Sequence, residues 1–153
     1  MFIYKVWYGR GSIRTKIVQL LLLPLTLLFM TIWSLRLCLY KWHFLKSTKI
    51  NVPVIIVGGI TVGGAGKTPL SIALIDYLNR QGIKVGVISR GYKGHAPSYP
   101  FEVKADSQSS ESGDEPLLIK QQIGDSAVVV TDPVRSRGAQ YLEHSGCEII
   151  ICD

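Results

Sequence analysis

Residues 61–68 read Thr-Val-Gly-Gly-Ala-Gly-Lys-Thr, set between the apolar run Val54-Ile55-Ile56-Val57 and a helix-patterned stretch from Pro69 to Arg80. Strand, glycine loop and helix in that order make a phosphate-binding loop. The residue types follow from the chemistry. Glycines let backbone N–H groups turn inward and approach phosphate oxygens closely, and the helix that starts at the loop adds its positive end. Lys67 supplies a point charge for the β- and γ-phosphates, and Thr68 a hydroxyl for Mg²⁺. The general pattern begins with glycine, whereas Thr61 stands first here; the bland reading is a glycine-rich turn that carries a lysine.

The rest of the chain alternates strand and helix. Lys84 to Ser89 reads as a buried strand, with Gly82 closing the helix before it. A polar, Gly/Ser/Pro-rich loop runs from Arg90 to Gly113 and holds an edge segment at Tyr99 to Val103. Asp114 to Gln122 reads as a short helix, Ala127 to Val130 as a strand, Pro133 to His144 as a helix capped by Gly146, and Glu148 to Asp153 as a strand. Apolar runs alternating with helices predict an α/β fold, a parallel sheet with helices on both faces.

Charge splits the chain. Residues 1–50 hold eight of the 17 Lys and Arg and no acid, whereas residues 51–153 carry all 11 Asp and Glu. Two domains are expected: a basic, apolar helical segment over 1–50 and a nucleotide-binding α/β domain over 51–153. The basic residues flank the uncharged stretch Ile17 to Leu35, which points to anionic lipid and not to nucleic acid. That stretch is just long enough to cross a hydrocarbon core. Four basic residues on each side give no inside bias, however. A kinked helix, bent at Pro24, that lies in the cytoplasmic leaflet satisfies both flanks. The interleaving of Trp33, Tyr40, Trp42 and Phe44 with Arg36, Lys41 and Lys46 fits an interfacial belt. Cys38, Cys147 and Cys152 lack metal-ligand spacing and read as reduced thiols.

The last strand closes on Asp153. Four apolar residues ending in an acid are a typical second nucleotide motif, whose carboxylate binds Mg²⁺ directly or through water; the alternative is a plain strand end. A compact domain rarely stops in a central strand, so the sequence is expected to be part of a longer protein.

Several segments together resemble the tetraacyldisaccharide 4′-kinase family, which phosphorylates the lipid A precursor of Gram-negative bacteria. They are Pro53 to Gly58 leading to Thr61-Val62-Gly63-Gly64-Ala65-Gly66-Lys67-Thr68-Pro69; Gly86-Val87-Ile88-Ser89-Arg90-Gly91-Tyr92; Gly113-Asp114-Glu115-Pro116; Pro133-Val134-Arg135; and Ile149 to Asp153. Trp7, Leu23-Pro24-Leu25 and the apolar helix resemble the family's membrane-associated entry. Thr61 is normal in this family, whereas Gly59 stands where Asn is usual. The family continues with a second Asp, then Gly, and a further half that carries a histidine.

The resemblance implies an ATP- and Mg²⁺-dependent kinase that acts on a lipid A disaccharide precursor at the cytoplasmic face of the bacterial inner membrane. Inner-membrane lipids would be its other partner, with no protein partner inferred. Lys67 and the loop residues 61–68 would bind ATP, with Lys67 also catalytic, and Thr68 and Asp153 would hold Mg²⁺. Asp114 would orient or deprotonate the sugar 4′-hydroxyl; on local pattern it is equally a first-turn helix acid. Arg90 and Arg135 would contact phosphate, or stand as surface arginines, and Tyr92 would pack the loop. The competing readings are another P-loop NTPase and an inactive ATP-binding, membrane-associated remnant. A guanine-reading Asn-Lys-x-Asp motif, which would favour a GTPase, is missing from these residues.

Overall fold

The computed structural model describes residues 13–59 and 66–153. Thr61, Val62, Gly63, Gly64 and Ala65 of the glycine loop therefore lie outside the described residues, as does Trp7. The chain divides into two units, the first closing at Ser47 and the second running from Thr48 to Asp153.

The first unit is dominated by α1 (Ile13–Lys41). At 29 residues it is about 43 Å long. Its segment Lys16–Lys41 has a mean hydropathy of 2.0 and none of it is buried, so by length and composition it could cross a membrane. Two of its polar side chains are satisfied within the helix. Thr26 and Thr31 donate their hydroxyls to the carbonyls of Leu22 and Leu27, four residues back, at 3.0 and 2.9 Å. That pairing leaves the helix surface apolar at both positions. Phe29 and Trp33 stack with centroids 6.3 Å apart, and the Arg36 guanidinium lies 5.9 Å from the Tyr40 ring centroid.

The second unit contains β1 (Val54–Ile56), α2 (Lys67–Arg80), β2 (Val85–Ser89), β3 (Phe101–Val103), α3 (Ser109–Ser112), α4 (Asp114–Ile123), β4 (Ala127–Thr131), α5 (Arg135–His144) and β5 (Ile149–Cys152). The sheet order is β1-β5-β2-β4-β3. The first four strands are parallel, and β3 closes one edge antiparallel to β4. The expected P-loop-type α/β sheet is what forms, with the edge segment as its one antiparallel strand.

Strand alternation sorts the core onto two faces. Val85, Val87, Ala127, Val129 and Ile151 pack with Ile75 and Leu78 of α2 and Ile119 and Ile123 of α4. Ile88, Val130, Ile150 and Cys152 face the other way, onto Ala139 and Leu142 of α5 and onto Cys147. Each Val or Ile buried in this way contributes about 1.5–3 kcal/mol. The approach of α5 depends on small residues. A Cβ at Gly138 would overlap Ile88 Cδ1, and one at Gly86 would lie 3.0 Å from Cys147 Sγ. Edge strand β1 is poorly covered: Val54 is 42% and Ile56 74% exposed.

Element ends differ from the sequence reading for local reasons. Helix α2 starts at Lys67, two residues before Pro69, because proline in a first turn forfeits no helical hydrogen bond. Helix α5 starts at Arg135 and not at Pro133. The Asp132 carboxylate accepts the Val134 N–H at 2.7 Å and holds the preceding turn outside the helix. Helix α3 was not foreseen. Its four residues have no apolar period, and it rests on a reciprocal capping box between Gln108 and Glu111.

Candidate active site

The parallel strands β5, β2 and β4 all deliver their C-terminal ends to one edge of the sheet, where α/β sheets bind ligands. The ends are laced together. Asp153 donates its N–H to Ile88 O at 3.1 Å, Asp132 donates to Ser89 O at 3.0 Å, and Val57 donates to Cys152 O at 2.9 Å. A cavity of about 180 Å³ opens at this edge, lined by Lys67, Ser89, Arg90, Tyr92, Glu115, Pro116, Arg135 and Asp153.

Lys67 enters from the first residue of α2. Gly66, just before it, has φ 69 and ψ 24, the left-handed conformation that lets the chain turn from loop into helix. Thr68, one residue on, donates its hydroxyl to Glu115 Oε1 at 2.8 Å. Glu115 comes from the first turn of α4, so two helix N-termini converge and an anion meets the positive ends of both. Arg135, at the start of α5, donates through Nη2 to the main-chain oxygen of Asp153.

Asp153 is the electrostatic centre. Both carboxylate oxygens are buried without a hydrogen-bond partner, as is Nε of Arg135. Burial, reinforced by the neighbouring Glu115 carboxyl, pushes the Asp153 pKa up to about 6; Lys67 and Arg135 pull against that shift. Two carboxyl groups and a hydroxyl around orphaned oxygens form a hard-oxygen donor set that fits Mg²⁺, which completes its shell with water and phosphate. Among the described residues no group of three or more His, Cys, Asp or Glu is arranged to hold a metal unaided.

Asp114 is exposed in the first turn of α4 and is not among the residues lining the cavity; its neighbour Glu115 is. Arg90 lines the mouth and is exposed, whereas Arg135 is half-buried. Lys67, Arg90, Arg135 and Asp153 are thus brought together, Thr68 reaches the group through Glu115, and Asp114 stands beside it. Sequence reasoning overlooked Glu115 as a site residue, although it sits inside Gly-Asp-Glu-Pro. It also overlooked Asp132, which is fully buried and held by Arg137 through two bonds of 2.7 and 2.9 Å. Tyr92 does not pack the loop: it is 82% exposed.

Two of the resembling segments meet backbone to backbone. A Cβ on Gly94 would lie 2.5 Å from Gly113 N and 2.6 Å from Glu111 O, and one on Gly113, whose φ is 85, would lie 2.8 Å from Tyr92 O. Only glycines allow the loop after β2 to lie against the start of α4, where Glu115 lines the same cavity as Lys67.

The family model for tetraacyldisaccharide-1-P 4′-kinase (LpxK) matches residues 18–153. The chain belongs to this family. Among relatives, the tetraacyldisaccharide 4′-kinase of Pseudoalteromonas atlantica is 48% identical over 136 residues, 86% of this chain and 43% of that protein. That of Tolumonas auensis is 41% identical over 152 residues, 99% of this chain and 44% of that protein. The crystal structure of LpxK from Aquifex aeolicus in complex with ATP superposes with a TM-score of 0.67 at 34% identity, covering 88% of this chain and 43% of that one. The chain spans less than half the length of the LpxK relatives it matches.

Proposed function

We propose that this chain carries the nucleotide-binding part of a kinase that transfers the γ-phosphoryl of ATP to the 4′-hydroxyl of a tetraacyldisaccharide 1-phosphate, a lipid A precursor. The observation that carries the reading is the convergence of Lys67, Glu115, Arg135 and the unpartnered carboxylate of Asp153 on one cavity at the start of α2. It is supported by membership of the LpxK family and by likeness to an ATP-bound LpxK.

Phosphoryl transfer asks the protein for positioning and charge neutralisation more than for covalent chemistry. The loop 61–66 and Lys67 bind the triphosphate, and Lys67 offsets charge on the transferring group. Thr68 and Asp153, with Glu115 alongside, would hold Mg²⁺, which would supply charge screening to the phosphate oxygens. The Thr68–Glu115 bond ties the hydroxyl to a residue that lines the cavity. Arg135 orients Asp153 through its main-chain oxygen and, with Arg90, offers guanidinium groups to phosphate. Asp114, exposed at the rim, takes the proton of the 4′-hydroxyl or orients it. The basic, apolar segment over residues 1–50 holds the domain 51–153 on the cytoplasmic face of the inner membrane, where the acylated acceptor resides.

The test, run on the intact protein because this chain alone is expected not to complete the transfer, follows radiolabel from ATP to tetraacyldisaccharide 1-phosphate in mixed micelles, with Lys67→Ala and Asp114→Ala as controls. Labelled 4′-phosphate that depends on both residues is expected; label unaffected by either substitution overturns the reading.

A further inference from the structure

The turn Arg90-Gly91-Tyr92-Lys93-Gly94 has two properties that packing does not explain. It is rigid, and it holds an aromatic ring out into solvent. Gly94 donates its N–H to Gly91 O at 2.8 Å, and His95 donates to Ser110 O at 2.8 Å. Gly91 and Gly94 sit against the backbone of Ser112 and Gly113 with no room for a Cβ. Lys93 is held at φ 64, an uncommon conformation for a non-glycine residue without a short polar side chain, which costs on the order of 1 kcal/mol or more. A turn held in this way should bury its large aromatic. Instead Tyr92 is 82% exposed and lines the cavity that contains Lys67 and Asp153. The Lys93 ammonium lies 5.9 Å from the Tyr92 ring centroid, so an apolar surface and a cation are presented together.

We propose that Tyr92 and Lys93 form the platform for the acceptor sugar. The Tyr92 ring packs against the apolar face of a pyranose, and the Lys93 ammonium pairs with an anionic phosphate carried by the same acceptor. This deepens the kinase reading and rests on it for the direction of transfer. The chemistry is a match: a pyranose offers axial C–H groups on one face and hydroxyls at its rim, and an exposed tyrosine offers an apolar body with a polar tip. Because Gly94 is locked against Gly113, the platform is fixed relative to Glu115 and the start of α4. A sugar seated on it is therefore held at a set distance from the phosphate end of the cavity, which is what a transfer between two bound molecules needs.

The experiment compares the intact wild-type protein with its Tyr92→Ala, Tyr92→Trp and Lys93→Ala variants. Kinase assays use ATP and tetraacyldisaccharide 1-phosphate in mixed micelles. Direct binding uses the deacylated disaccharide 1-phosphate, followed by saturation-transfer NMR. Tyr92→Ala should raise KM for the acceptor about tenfold while moving KM for ATP less than twofold, and Tyr92→Trp should restore most of the loss. Lys93→Ala should weaken binding of the deacylated phosphate but not of the same disaccharide without phosphate. If the intact protein transfers no phosphoryl yet binds the deacylated disaccharide through Tyr92, the platform stands and the kinase reading falls. The platform is overturned if the wild type fails to bind the disaccharide. It is equally overturned if Tyr92→Ala lowers only Tm, or if it lowers only binding to anionic vesicles, which would make Tyr92 a packing or membrane residue.

Discussion

The Thr68 hydroxyl and the Glu115 carboxylate are joined at 2.8 Å, tying the first turn of α2 to the first turn of α4. A threonine in the phosphate loop is thereby held by an acid 47 residues away. Glu115→Gln keeps the shape and removes the charge. Turnover should fall about 10²–10³-fold, and the Mg²⁺ concentration for half-maximal rate should rise. A Mg²⁺ titration of the variant checks this, and an unchanged half-point would remove Glu115 from the metal-binding group.

Lys67→Ala removes the cation at the start of α2. Loss of one electrostatic stabiliser of a transferring phosphoryl costs about 10²–10³ in rate. Radiolabel transfer at near wild-type turnover by the purified variant would falsify the role given to Lys67.

Asp153 has a folded pKa of about 6, above the ordinary 3.8. Between those values the folded chain binds more protons than the unfolded one, so stability falls as pH rises from about 4 to 6. Without metal, Tm should therefore be higher at pH 4.5 than at pH 6.5 at this site's expense, and Asp153→Asn should flatten that part of the profile. Mg²⁺ needs the deprotonated carboxylate, so its stabilising effect should appear as pH climbs through 6. Calorimetry across pH with and without Mg²⁺ reads both; identical profiles for the wild type and Asp153→Asn would contradict the assignment.

Gly94→Ala places a methyl 2.5 Å from Gly113 N and 2.6 Å from Glu111 O. Those are backbone atoms, so no side chain can swing aside and the two segments must separate. The strain should cost about 1–3 kcal/mol. It should also move Glu115, lowering turnover further than the loss of stability explains. Urea unfolding measured beside activity at 10 °C separates the two effects.

The N-terminal segment is expected to lie in the cytoplasmic leaflet without crossing. A Lys5→Cys variant, with the native cysteines replaced, should resist a membrane-impermeant maleimide in intact spheroplasts and react after lysis. Labelling before lysis would place the N-terminus outside.

The sheet was legible because its strands are short apolar runs, as in Val85-Gly86-Val87-Ile88 and Ile149-Ile150-Ile151, and parallel strands buried on both faces carry that signature. The position of Asp153 at a strand end was legible for the same reason. What the sequence hid was contact between segments far apart. Glu115 carries no local signal that sets it apart from Asp114 beside it, because its partner Thr68 lies 47 residues away, and Asp132 none that points to its pairing with Arg137. Tyr92 was misjudged because a tyrosine among glycines reads as loop packing, while only the backbone contact of Gly94 with Gly113 shows that the turn is rigid without it.

Strand β1 is the outermost of the parallel strands, no strand pairs with its outer edge among the described residues, and Ile56 there is 74% exposed. A free edge of this kind carries a row of unpaired main-chain donors and acceptors, and it templates pairing with any second chain that comes near. Dilution therefore becomes a variable of the molecule itself. As concentration rises, edge-to-edge association competes with the folded monomer, and light scattering should grow before any change in helix content. A lysine in place of Ile56, pointing to solvent from the same strand, should postpone that onset without disturbing the cavity at the other end of the loop.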